Sequence, residues 1–177
     1  MANTFAMNSI TQPDFSVVIT CFNKVDTIEA AVTSARMQGP ATEVIVVDDG
    51  STDGSRDALT RLDVDQVILH ETNAGALGAY LTGMRAARGR YLVMLDGDDR
   101  LAPAVLTALG TTGWLDPGTC LRLGMAILPA DITPAPLALP LRRSLTFRPG
   151  RLFTLSQSTG GTAYVFPKAL FDQVDRA

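Results

Sequence analysis

The stretch Tyr91-Leu-Val-Met-Leu-Asp-Gly-Asp-Asp99 sets the reading of this chain. Its apolar run shows no polar alternation, which describes a strand buried on both faces, and such strands occur in parallel sheets covered by helices. The polar residues Asp96, Gly97, Asp98 and Asp99 follow at the carboxyl end. Two earlier segments share this layout. Phe15 to Thr20 runs into Cys21, Phe22 and Asn23, and Glu43 to Val47 runs into Asp48-Asp-Gly-Ser-Thr-Asp-Gly54, which is dense in turn formers.

Helical patterns lie between these strands. Asp26 with Glu29 has the spacing of a capping box, Ile28, Ala31, Val32 and Ala35 form one apolar stripe, and Gly39-Pro40 ends it. A helix from Ser55 to Leu62 and a strand from Gln66 to His70 follow. The next helix aligns Leu77, Leu81 and Met84 on one face, and Gly89 suits its C-terminal cap. Pro103 suits the first position of a further helix. Four strands alternating with helices imply a parallel sheet with right-handed crossovers that binds ligands at its carboxyl ends.

The second half is less regular. Cys120 to Leu128 reads as a strand, the proline-rich Pro129 to Pro140 as an extended loop, and Thr162 to Phe166 as another strand, with Pro167 opening a short helix. The expected organisation is an arm at 1–14, an α/β half at 15–112 and a partial second half at 113–177.

With 177 residues, 46% of them apolar, the chain suits one globular domain. A net charge of -3 provides no basic footprint, so no nucleic-acid partner is expected and an anionic ligand must be held by backbone or metal. Cys21 and Cys120, far apart, form neither a disulfide framework nor a zinc motif, which fits a reducing cytosol. The N-terminus lacks the pattern of a secretory signal, and no apolar run is long enough to span a bilayer. Peripheral association with the inner face of a membrane is compatible with this pattern.

Three constellations carry chemistry. The carboxylates of Asp96, Asp98 and Asp99 repel one another unless a cation or solvent separates them, and Mg²⁺ or Mn²⁺ would do so while drawing further ligands from phosphates. A solvated acidic turn is the alternative. In the second, an aspartate of Asp48 to Asp53 accepts hydrogen bonds from a base or ribose, or the segment is turn chemistry with Asp53 capping the next helix. In the third, Phe22 either stacks on a nucleobase or belongs to the core, while Asn23 braces the turn. His70 at a strand end suits a structural or surface role, and Asn73 to Gly78 lacks the G-x-G-x-x-G spacing.

In order, Ser16-Val-Val-Ile-Thr-Cys-Phe-Asn23, Val44-Ile-Val-Val-Asp-Asp-Gly-Ser-Thr-Asp53, Asn73-Ala-Gly75 and Ala87-Arg-Gly-Arg-Tyr-Leu-Val-Met-Leu-Asp-Gly-Asp-Asp99 resemble glycosyltransferase family 2. The resemblance covers about residues 15 to 110 and is weaker at Gly160 to Phe166. It implies a single Rossmann-like GT-A domain with a mostly parallel sheet, and inverting transfer from a nucleotide-diphospho-sugar donor to a glycan or other hydroxyl acceptor in building a cell-surface or secreted glycan. Thr20, Cys21, Phe22, Asn23, Asp49, Gly75, Asp96 and Gly97 would line the nucleotide-sugar site. Asp98, with Asp96 and Asp99, would hold the metal.

Three departures stand out. Thr20 replaces the usual proline, Tyr80-Leu81 replaces an Arg-Asn pair, and the acidic pair that supplies the family's base is expected beyond Ala177. Asp172 and Asp175 sit in what reads as the helix before that base. The base therefore has no assigned residue, and a sugar-nucleotide-binding module without turnover is the competing expectation. A phospho-signalling domain lacks its acidic pair after the first strand, and a dinucleotide dehydrogenase lacks its glycine fingerprint.

Overall fold

The computed structural model describes residues 12–113, 115, 117–123, 144–146 and 163–176. Its central element is a seven-stranded mixed sheet in the order β3-β2-β1-β4-β7-β5-β6. The strands are β1 (Phe15–Cys21), β2 (Thr42–Asp48), β3 (Gln66–Leu69), β4 (Tyr91–Asp96), β5 (Thr119–Arg122), β6 (Ser144–Thr146) and β7 (Tyr164–Pro167). The helices are α1 (Ile28–Arg36), α2 (Ser55–Leu59), α3 (Gly75–Ala86), α4 (Val105–Thr111) and α5 (Lys168–Asp175).

β1 to β4 are parallel to their neighbours, as the apolar runs imply. Alternate side chains feed two cores. Val17, Ile19, Val44, Val46, Val93 and Leu95 join α1 and α4 on one face, while Val18, Ile45, Val47, Leu92 and Met94 meet α3 and α5 on the other. Burial on both faces is why these strands lack polar alternation.

β7 enters antiparallel between β4 and β5, pairing Tyr91 with Pro167 and Met94 with Tyr164. α5 therefore begins beside the amino end of β4, a position fixed by the hydrogen bond from the Lys168 N–H to the Arg90 carbonyl.

Several local expectations are corrected. The proposed capping box does not cap α1, because its N-cap is Thr27 and no side chain makes the cap bond. Lys24 O instead accepts the N–H groups of Thr27 and Ile28, and the Thr27 hydroxyl donates to Gly97 O at 2.9 Å. α2 ends at Leu59, short of Leu62. β3 stops at Leu69, leaving His70 just beyond it. Pro103 precedes α4, which opens after Ala104 in a left-handed conformation.

Helix α3 packs through Ala79, Tyr80, Gly83 and Met84, whereas Leu77 is exposed. Small residues permit the close approach: a Cβ on Gly83 would lie 2.3 Å from Val18 Cγ1. Gly89 is not a left-handed cap, since Ala87 ends the helix in an extended conformation. Its missing side chain makes room for β1, because a Cβ there would meet Ser16 N at 2.6 Å.

Of the expected arm, Gln12 to Asp14 is docked: Gln12 donates to Arg88 O, and the N–H groups of Arg90 and Tyr91 donate to Pro13 O and Asp14 O. The proline-rich segment Pro129 to Pro140 and the expected strand beyond Leu123 lie outside the described residues.

Candidate functional site

The crossovers from β1 proceed to β2 and β3 on one side and return to β4 on the other, so the topological switch lies between β1 and β4. In such sheets the crevice at the carboxyl ends of these strands is the ligand site. The register pairs Thr20 with Asp96 and Cys21 with Asp48. Three segments distant in sequence thus meet at one sheet end, with Phe22 and Asp49 one residue beyond their strands.

Phe22 is 45% exposed, so its ring is not a core aromatic. Cys21 is fully buried against Ser51, and burial pushes its thiol above the ordinary range. Its side chain faces the interior, while its carbonyl accepts the Asp49 N–H at 2.7 Å. Asn23 adopts a left-handed backbone with φ 53°, accepts the Thr52 N–H through Oδ1 and donates its own N–H to Ser51 Oγ. It braces the turn as its residue type suggests.

The two aspartates after β2 are both buried and differ in their partners. Asp48 is buried beneath the loop, with Oδ2 accepting Arg56 Nε at 2.7 Å and the Ser51 N–H, and with Oδ1 unpartnered. Asp49 Oδ1 accepts the Ala74 N–H at 2.8 Å and hydrogen-bonds His70 Nδ1 at 2.7 Å. Asp53 accepts the Ser55 N–H and hydroxyl, contacts that hold its carboxyl below the usual range. It thereby serves the start of α2, although the formal N-cap is Gly54.

At the end of β4, the buried Tyr80 phenol donates to Asp96 Oδ1 at 2.7 Å. Burial first, and then the negative charge of Asp96, push the phenol's pKa far upward and keep it a proton donor. Gly97 lies so close to β1 that a Cβ would meet Thr20 O at 2.6 Å. Lys24 Nζ contacts Asp98 Oδ2 at 2.5 Å. Asp99 has a raised pKa, first because of burial and then because Asp96 and Asp98 are nearby. Gly75 opens α3 with φ +79° and donates its N–H to Asn73 Oδ1.

The carboxylates present hard oxygen donors, and Lys24 already places a cation on Asp98. Among the described residues no group of three or more His, Cys, Asp or Glu side chains is arranged to hold a metal ion. A Mg²⁺ or Mn²⁺ ion placed there would take one or two of these carboxylates and would need substrate phosphate and water to complete its shell.

Two other carboxylates fall elsewhere. Asp175 forms a two-pronged pair with Arg85 near the end of α3, and Asp172 pairs with Lys168. Both are on α5, which starts at the amino end of the sheet.

The parallel part of this α/β sheet brings polar loops together at its switch point, where sheets of this kind bind ligands. The comparisons supply the family: the chain belongs to glycosyl transferase family 2, whose model matches residues 16–110. It is 40% identical over 94 residues to the putative teichuronic acid biosynthesis glycosyltransferase TuaG of Bacillus subtilis, covering 50% of this chain and 37% of that protein. The structure matches S. aureus TarS 1-349 in complex with UDP at TM-score 0.64 and 22% identity, over 92% of this chain and 49% of that one. It also matches the mannosyltransferase PcManGT from Pyrobaculum calidifontis in complex with GDP-Man and Mn²⁺, at TM-score 0.53 and 25% identity, over 63% of this chain and 35% of that one. The fold is thus GT-A, and the chain spans only part of the length of its relatives.

The residue signals were unequal. Phe22, Asp49 and Asp96 were marked by their place after apolar runs. Lys24, Thr27 and Thr82 carried no comparable sign, since each reaches its partner only through tertiary packing.

Proposed function

We propose that this chain forms the donor-binding part of an inverting, metal-dependent glycosyltransferase acting on a nucleotide-diphospho-sugar and a hydroxyl of a glycan or other acceptor. The observation that carries the reading is the convergence of Phe22, Asp49 and the Asp96–Asp99 run at the sheet's switch point. The complexes of similar proteins with UDP and with GDP-Man support the donor class.

In this reading Phe22 presents its ring to the base, and Asp49 accepts a hydrogen bond from the base or ribose. Thr20, Asn23 and the Cys21 backbone shape the floor, while Gly75 and Gly97 allow close backbone approach. Asp96, aligned by Tyr80, faces the nucleotide or sugar. Asp98, with Asp99, would hold Mg²⁺ or Mn²⁺; when bound, that ion neutralises charge developing on the departing diphosphate. Inversion requires the acceptor oxygen to attack the anomeric carbon opposite the leaving diphosphate as a base takes its proton. Asp172 and Asp175, which lie on α5 and pair with Lys168 and with Arg85 of α3, are not assigned that task.

The proposed setting is the cytosol or the inner face of a membrane; among the described residues no helix is long and apolar enough to cross one. Reaction at that face would supply glycan biosynthesis, in keeping with the putative teichuronic acid biosynthesis role in the name of TuaG.

Thermal-shift titration with UDP-, GDP- and dTDP-sugars, with and without Mn²⁺, tests the assignment, because binding to the folded state raises apparent stability. Asp98→Asn is expected to remove the metal-dependent part of donor binding and preserve the fold. Unchanged metal-dependent affinity in that variant would refute the metal assignment. Donor binding with neither hydrolysis nor glycosyl transfer, even in the full-length protein, would favour a binding module without turnover over a transferase.

A further inference from the structure

Beside the candidate nucleotide site, His70 joins three elements. Its main chain is fixed by the N–H donated to Asp48 O and by Arg56, whose guanidinium donates to the His70 carbonyl. Its ring lies between Asp49 Oδ1, at 2.7 Å from Nδ1, and Thr82 Oγ1 on α3, at 3.0 Å from Nε2. The Thr82 hydroxyl is also 3.0 Å from Gly78 O, and its one proton is donated either there or to Nε2. An ionised Asp49 is acceptor-only, so the contact requires Nδ1 to carry the proton and donate. The Ala74 N–H occupies the same carboxylate oxygen, and no hydrogen bond among the described residues reaches Asp49 Oδ2.

We propose that His70, held by Thr82, is the positioning residue of the nucleotide site: its Nδ1–H and the Ala74 N–H fix Oδ1 of the nearly buried Asp49, leaving Oδ2 as the carboxylate oxygen open to a base N–H. This rests on the nucleotide-binding role of Asp49 proposed above. Uracil, thymine and guanine carry a ring N–H on their pairing edge, whereas cytosine and adenine place a lone pair there. A carboxylate oxygen held in this way therefore favours the first group, and loss of its alignment weakens both affinity and discrimination. His70 acts through Asp49 and need not touch the ligand.

The test measures Kd for UDP and CDP by calorimetry in Mn²⁺, with melting temperature recorded separately. His70→Ala is expected to weaken UDP binding about tenfold, the scale of a lost hydrogen bond to a charged group, and to reduce UDP-over-CDP selectivity. His70→Asn keeps a donor near the Nδ1 position and should recover most of both. Thr82→Val should change UDP affinity in the same direction by about two- to threefold in the native background, and not in His70→Asn, where its partner nitrogen is gone.

If folded His70→Ala retains UDP affinity and selectivity within twofold while Asp49→Asn loses them, the His70 inference is overturned and the Asp49 reading survives. If Asp49→Asn leaves both unchanged, the underlying nucleotide assignment fails instead. Should His70→Ala not fold, Thr82→Val decides: selectivity lost supports the inference, and selectivity retained overturns it.

Discussion

Tyr80→Phe isolates the contact that joins α3 to the acidic end of β4. The substitution leaves the buried ring in place and deletes only the hydroxyl that donates to Asp96 Oδ1 at 2.7 Å. A hydrogen bond to a charged group contributes about 1.5–3 kcal/mol, and partial exposure of Asp96 lets water restore some of it, so the expected loss is about 1–2 kcal/mol. For a chain of this size that corresponds to a fall in Tm of roughly 2–8 °C. A double-mutant cycle with Asp96→Ala in thermal or urea unfolding should return a coupling of about 1 kcal/mol, because each change removes one end of the same bond. The same variants should show reduced Mn²⁺-dependent nucleotide affinity, since Asp96 loses its alignment. A Tm within 1 °C of the native value, together with additive effects in the cycle, would refute this reasoning.

Three further outcomes follow from the geometry. Lys24→Met removes the ammonium from Asp98 and should tighten Mn²⁺ binding about two- to fivefold without nucleotide, as expected for a weak exposed pair; unchanged affinity in manganese titration would count against competition at Asp98. Gly83→Ala should destabilise by roughly 1–2 kcal/mol, because overpacking against Val18 and Val47 exceeds the gain of about 1 kcal/mol in helix propensity; equal or higher stability in urea would contradict the packing. Arg85 depresses the pKa of Asp175, so the pair's stabilisation is present above the carboxyl's unfolded pKa of about 4 and is lost as pH falls through the lower folded value. The Tm difference between Asp175→Asn and the native chain should therefore be largest near neutrality and vanish in acid, and a difference constant with pH would dismiss the pair.

The main site loops were legible because their signals are local. A short apolar run without alternation, rich in β-branched residues and bounded by turn formers, fits a strand covered on both faces, and aspartates and glycines immediately after it then lie at that strand's end. This accounts for β1, β2 and β4 and for the placement of Phe22, Asp49 and Asp96. The seven strands' full order was not legible, because β7 pairs antiparallel with β4 although residues 97–163 intervene, and no local pattern states that partnership.

Helix α3 shows the same divide at side-chain scale. Its periodicity aligns Leu77, Leu81 and Met84 on one face; Met84 is buried and Leu81 packs partly against the core, but Leu77 is exposed, and the helix also turns Ala79, Tyr80 and Gly83 inward because small side chains let its backbone approach Val18 and Val47. That rotation brings Tyr80 to Asp96 and Thr82 to His70. Sequence alone established the kinds of residues at the strand ends and the parallel α/β framework that gathers them. Tertiary structure decided which oxygen of each aspartate is already occupied, since hydrogen bonds between separate elements depend on distances set only when the sheet and helices pack.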